Sequence, residues 1–276
     1  MSFKDLAVFV DPGRGNDARI ALAVDLARRC EAHLAAIHVV PTPYIPDSVG
    51  SSVVRRLVEE HNERVGAIAG KLERSFRDVA GRQGISAEWR AQRDFYDVGV
   101  DNAHYADLLI VGQIDPEDLS PGLLAGARPE QLALSSGRPV LAVPYVGAAT
   151  VGRRVLIAWK PGREATRAVH DALPFLRRAE TVTVLVVDPD EDRGHGEEPG
   201  ADIARHLARH GVKVEVERTV SAEIAVADVI LSRAADLGSD LIVMGAYGHS
   251  RLRELVLGGV TREILEHMTV PVLLSH

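Results

Sequence analysis

The feature that most restricts this chain is an internal repeat. The segment DLAVFVDPGRG (residues 5–15) returns as RVLIAWKPGRE (154–164), an apolar run and then a Pro-Gly-Arg turn. Each copy continues with a segment of helical period, ARIALAVDLARRC in one and TRAVHDALPFLRR in the other. A second apolar run follows, HLAAIHVVP or TVTVLVVDP. Further on, ADLLIVGQ (106–113) matches SDLIVMGA (239–246), and GRPVLAVP (137–144) matches TVPVLLS (269–275). Five features in the same order mark a duplication, and a duplication sets the architecture.

The spacing between the copies is uneven. Gly112 and Gly245 stand 133 residues apart and Pro139 and Pro271 stand 132 apart, but Asp11 and Lys160 stand 149 apart. The N-terminal copy therefore holds about sixteen extra residues between its second and fourth apolar runs. They fit SSVVRRLVEEHNERVGAIAGKLERSFRDVAGRQG, a long amphipathic helix with apolar positions at Val54, Leu57, Val58, Val65, Ile68 and Leu72. In the C-terminal copy the matching helix shrinks to ADIARHLARHG. Each copy reads β-α-β-α-β-α-β-α-β, and its short runs of Val, Ile and Leu suit parallel strands covered on both faces. The expectation is an α/β fold of two tandem five-stranded, Rossmann-like parallel-sheet domains, 1–147 and 152–276. The link VGAATVG (146–152) is too short to let them roam, so they should pack as a pseudo-symmetric pair.

Composition narrows the function classes. Hydrophobic residues are 46% and charged residues 26% of the 276 positions, enough for a globular core. The 32 basic residues include four lysines, Lys4, Lys71, Lys160 and Lys213, and are scattered among acids at a net charge of −7. That balance argues against a nucleic-acid partner. The single cysteine, Cys30, excludes an intrachain disulfide and a cysteine-based metal cluster, and a buried, inert thiol is expected. The apolar stretch in MSFKDLAVFVDPG is too short for a signal peptide, and no run approaches a membrane span. A cytoplasmic protein without a membrane partner is expected.

In an open parallel sheet, ligands bind beyond the carboxyl ends of the strands, where strand order reverses. In the C-terminal copy those ends are Trp159-Lys160-Pro161 and Met244-Gly245-Ala246. From Gly245 the glycines run Gly245, Gly248, Gly258, with two and nine residues between them. Such glycines let backbone N–H groups approach a ligand. Gly258 and Gly259 then precede VTREILEHM, whose Val260, Ile264, Leu265 and Met268 share one face. The positive end of that helix would point at the crevice and suit an anion. Ser250 and Thr261 offer hydroxyls there, and His249 and Arg251 offer charge.

This G-x2-G-x9-G stretch after a fourth strand resembles the nucleotide-binding motif of universal stress proteins, and the duplication resembles the tandem members of that family. The resemblance covers nearly the whole chain and is most specific over residues 239–276. It implies an adenine nucleotide alpha hydrolase-like fold that pairs through its last strand, within the chain or in a homodimer. It also implies binding of ATP or another adenine nucleotide, with or without magnesium. Carried onto this sequence, it assigns the nucleotide to Ala158, Trp159, Lys160, Pro161, Val187, Met244, Gly245, Gly248, His249, Ser250, Arg251, Gly258, Gly259, Val260 and Thr261. Two positions depart from the family pattern. Gly259 stands where Ser or Thr is usual, which removes a hydroxyl donor. Lys160 stands where ATP-binding members carry Asp, and a lysine cannot accept a hydrogen bond from an adenine amino group.

The N-terminal copy keeps Asp11 and aligns Gly112 and Gly126 with Gly245 and Gly258, which makes these three weaker candidates. Its intervening loop, QIDPEDLSPGLLA, carries Asp115, Glu117 and Asp118, and carboxylates repel phosphate. Pro129 falls where Thr261 would be, so this site is expected to be degenerate. Plainer readings stand beside each candidate. The glycines serve turns as readily as ligands, Lys160 can extend into solvent, and Asp11 can cap the helix beginning near Asn16. Tyr247 can stack on a base or meet the other half. His206 and His210, four apart, have zinc spacing but no third ligand in sight, so a solvated helix face is preferred.

Three functions compete: a tandem universal stress protein binding adenine nucleotide in a regulatory role, an interaction protein with decayed sites, and a slow ATPase or nucleotidyltransferase-like enzyme. The third would need a loop that DPGRGND and KPGREAT do not supply, and no general base is evident. A non-enzymatic role is expected.

Overall fold

The structure is a computed structural model that describes residues 2–40, 51–93, 98–118, 128–189, 198–247 and 259–276. The N-terminal half runs β1 (Asp5–Phe9), α1 (Asn16–Cys30), β2 (His33–Val40), α2 (Ser51–Gln83), β3 (Ala87–Arg93), α3 (Val98–Ala103), β4 (Leu108–Gly112), α4 (Pro129–Ser135) and β5 (Val140–Val143). The C-terminal half repeats it as β6 (Arg154–Ala158), α5 (Arg163–Leu176), β7 (Thr181–Val187), α6 (Ala201–Arg209), β8 (Val214–Thr219), α7 (Val226–Asp236), β9 (Leu241–Gly245), α8 (Gly259–His267) and β10 (Val272–Ser275). Element order matches the expectation in both halves.

The inner strands are largely apolar because both faces are covered. Leu6, Val8 and Val10 enter one core layer while Ala7 and Phe9 enter the other. The same alternation separates Val155 and Ile157 from Leu156. Successive residues of a strand face opposite sides, so only a sheet sandwiched between helices hides them all. Helix α2 departs from its predicted stripe. Its distal part buries Val65, Leu72, Phe76 and Ala80, but Leu57 near its start is 49% exposed. A helix of 33 residues is about 50 Å long and overshoots strands of five to eight residues, so its first turns extend past the sheet.

The two halves do more than pack together. Their strands form one ten-stranded sheet in the order β3-β2-β1-β4-β5-β10-β9-β6-β7-β8. Every pairing is parallel except the central one, where β5 and β10 run antiparallel with Leu141 opposite Leu273 and Ala142 opposite Val272. All four residues are fully buried. Each leucine contributes about 1.5–3 kcal/mol through burial. Because the pairing is antiparallel, the carboxyl ends of the two sets of strands lie at opposite edges of the sheet.

A second contact seals the halves on one face. The rings of Phe3 and Phe175 lie 5.4 Å apart. Arg178 donates to the Arg29 carbonyl (3.0 Å) and Arg29 to the Val151 carbonyl (3.3 Å). Cys30 is a buried free thiol beside Arg178, as its helical setting implied. Gly152, in the link, has φ +82°, and a Cβ there would stand 2.6 Å from Phe175 Cδ1. Gly152→Ala should therefore lower stability by about 1–3 kcal/mol in urea unfolding of the full chain. An unchanged midpoint would show that this contact does not hold the halves.

Candidate functional site

Each half has a crevice where strand order reverses, between β1 and β4 in one and between β6 and β9 in the other. Similar backbone has produced two different sites.

The N-terminal crevice is plugged in part by its own side chains, which leave a small cavity bounded by Asp11, Arg19, Gly112, Asp115, Asp118 and Tyr145. Arg19, in the first turn of α1, has a side chain only 4% exposed. Its Nε donates to the Phe9 carbonyl (2.8 Å), and its guanidinium pairs with Asp11 and donates to Asn16 Oδ1 (3.2 Å). The guanidinium occupies the space that a Cβ on Gly112 would need. The helix N-cap is Gly15 and no side chain caps it, so Asp11 is an ion-pair partner rather than a cap. The backbone amides that would face an anion are already used: Gly13 N donates to Asp11 Oδ1 (2.8 Å) and Arg14 N to Asp118 Oδ2 (2.9 Å). Asp115, 5% exposed, accepts from Arg14 Nε (3.0 Å). The acidic loop satisfies this half's own donors, and Gly126 lies outside the described residues.

The C-terminal crevice has no such plug. The position aligned with Arg19 is Ala168, which is buried in the core. Register places Ala158 beside Met244 and beside Leu185, two residues before Val187. Ala158, Val187 and Val260 pack on the same core layer as Met244. Trp159 packs on the opposite layer, so the structure separates it from those residues. Lys160 and Pro161 are exposed, and Lys160 has no hydrogen bond or ion pair among the described residues. Arg163 donates to His276 Nε2 (3.3 Å) while His276 Nδ1 lies 2.9 Å from the Ala246 carbonyl, an arrangement that suits a neutral ring protonated at Nδ1.

Gly245 has a packing role. A Cβ there would come within 2.6 Å of Ala165 N and 2.7 Å of the Glu164 carbonyl carbon, so the start of α5 rests on the end of β9. Gly259 begins α8, and among the described residues the nearest atom to an added Cβ would be Glu263 Oε1 at 4.0 Å. Thr261, two residues further on, is buried. Gly248, His249, Ser250, Arg251 and Gly258 lie outside the described residues. Tyr247 is half-buried, and burial, with a smaller effect of the Glu130 carboxylate, pushes its phenol up. His206 and His210 have rings 4.7 Å apart on α6, and no group of three metal-ligating side chains occurs among the described residues.

Sequence reasoning missed Arg19 and Gln113. Both stand opposite alanine in the aligned copy, Ala168 and Ala246, and that mismatch was the available signal. It also missed Asp188, directly after Val187, whose carboxylate accepts from Ser221 N (2.7 Å) and Ser221 Oγ. Those two bonds hold it below the usual carboxylate range.

Both crevices lie at the strand ends of a doubly wound α/β fold, where such folds place their ligands. Residues 152–276 match the family model described as Universal stress protein family. The C-terminal half is thus similar to universal stress proteins over its whole length. A universal stress protein of Synechocystis sp. is 43% identical over 68 residues, 24% of this chain and 22% of that protein's length. A universal stress protein from Archaeoglobus fulgidus DSM 4304 shares the fold over 98% of this chain and 96% of its own, with 16% identity and TM-score 0.74. A candidate universal stress protein from Pseudomonas aeruginosa UCBPP-PA14 does so over 99% and 93%, with 15% identity and TM-score 0.57. These two likenesses concern the fold alone. Among the described residues no helix is long and apolar enough to cross a membrane.

Arg19→Met should cost about 2–4 kcal/mol, since it strands the Phe9 carbonyl and leaves the partly solvated Asp11 unpaired. Urea unfolding checks this, and wild-type stability would remove the ion pair from the account. Ser221→Ala should raise the Asp188 pKa, measured by NMR titration. A depressed carboxylate stabilises the fold above the ordinary carboxylate range and loses that contribution as pH falls through its depressed value. The variant should therefore differ from wild type at neutral pH and converge with it in acid.

Proposed function

We propose that the C-terminal half binds an adenine nucleotide, with ATP the expected ligand, and that binding serves regulation in a stress response. The observation that carries this is the contrast between two crevices of one design: one is plugged in part by Arg19, Asp11 and Asp115, while the other carries Ala168 and an uncommitted Lys160. The family match spans that second crevice and α8 whole. The residues present suit the ligand in kind. Ala158, Val187 and Met244 offer an apolar wall for a base, α8 offers its positive end, and Lys160 offers a cation for phosphate. Magnesium would arrive on the nucleotide's own phosphates.

The reading is non-enzymatic. Glu164 pairs with Arg163 (3.5 Å), and His276 is bonded to Arg163 and the Ala246 carbonyl, so neither is poised as a general base. A second reading, an interaction protein independent of nucleotide, draws on the partly plugged N-terminal crevice, since one half has already narrowed its cleft. It separates from the first on ligand binding.

Isothermal titration of the full chain with ATP and magnesium should give saturable heat. Gly259→Ser restores a hydroxyl at the start of α8 and should tighten binding about three- to tenfold. Absence of heat at millimolar ATP for both proteins would favour the interaction reading.

A further inference from the structure

We propose that Gln113 of the N-terminal half positions helix α8, and with it the anion end of the C-terminal crevice; the inference rests on the nucleotide reading above. The last carbonyls of a helix have no partner within it, and its C-terminus carries partial negative charge. In α8 the Leu265 and Glu266 carbonyls both accept from Gln113 Nε2, each at 3.0 Å. The other end of the same carboxamide accepts from Tyr145 N (3.2 Å). Gln113 is buried, so its hydrogen bonds are made in protein and not in water.

The donor lies 152 residues before the first of its acceptors in sequence, and topology explains the meeting. Since β5 and β10 are antiparallel, β4 ends at the edge of the sheet where α8 also ends. A helix of nine residues is a short rod of about 13 Å. Holding its C-terminus therefore sets where its N-terminus at Gly259 meets the crevice. The aligned residue in the other half, Ala246, has no carboxamide, so the support runs one way. A half whose own crevice is partly plugged thus serves as the brace for the half that binds.

Gln113→Met keeps the side-chain length and removes the donors. In the full chain it should weaken ATP binding about five- to tenfold and speed amide hydrogen exchange in residues 259–268, with circular dichroism unchanged. Gln113→Asn, too short to reach, should act in the same direction and serves if the first variant folds poorly. Phe3→Leu loosens the other contact between the halves and separates a brace from general destabilisation; it should lower Tm and leave ATP affinity at the wild-type value. Wild-type affinity in Gln113→Met, or an equal loss in Phe3→Leu, overturns the inference. If wild type binds no ATP, the nucleotide reading falls and exchange alone decides: faster exchange in α8 upholds the brace, and unchanged exchange overturns it.

Discussion

The antiparallel pairing of β5 with β10 is the contact on which the rest of the molecule depends. It turns two edge strands, each with unpaired backbone groups, into the centre of a ten-stranded sheet. Among the described strands the sheet's outer edges are β3 and β8, where AEWRAQR and VEVERT carry charge. The pairing also reverses one half relative to the other. Each crevice therefore lies at the opposite edge from its twin, beside the tail of the other half's last helix.

Duplication followed by divergence explains the asymmetry of the two clefts. A guanidinium fits beside Gly112 because that residue lacks a Cβ, and Asp11 then has a permanent partner. In the other copy the glycine at the same place is spent on backbone packing against α5. One design thus yields a cleft narrowed by ion pairs and a cleft lined by apolar side chains with an exposed lysine at its rim. Narrowing the first with charges that pair with one another offsets the cost of burying them.

Much of the fold was legible from residues alone. The repeated Pro-Gly-Arg turns, the apolar runs and the extra long helix all appear where local pattern placed them, because strand and helix periods are local properties. The site was legible only in part. Ala158, Val187 and Met244 do converge, since parallel register between neighbouring strands follows from the repeat. Trp159 does not join them: one step along a strand reverses the face, and a list of strand-end residues ignores that parity. Gly245 looked like a glycine for a ligand because spacing cannot say which backbone comes close.

The sequence by itself determined two doubly wound α/β units and their relative lengths, because each is written in short-range periodicity and in motifs. Only the tertiary structure decided that the units share one sheet, that Arg19 narrows one cleft, and that Gln113 reaches the end of α8. These outcomes depend on which edges meet and which side chains face each other across more than a hundred residues of chain. No local pattern encodes such a meeting, since its energy comes from burial and hydrogen bonds that exist only once the halves have joined.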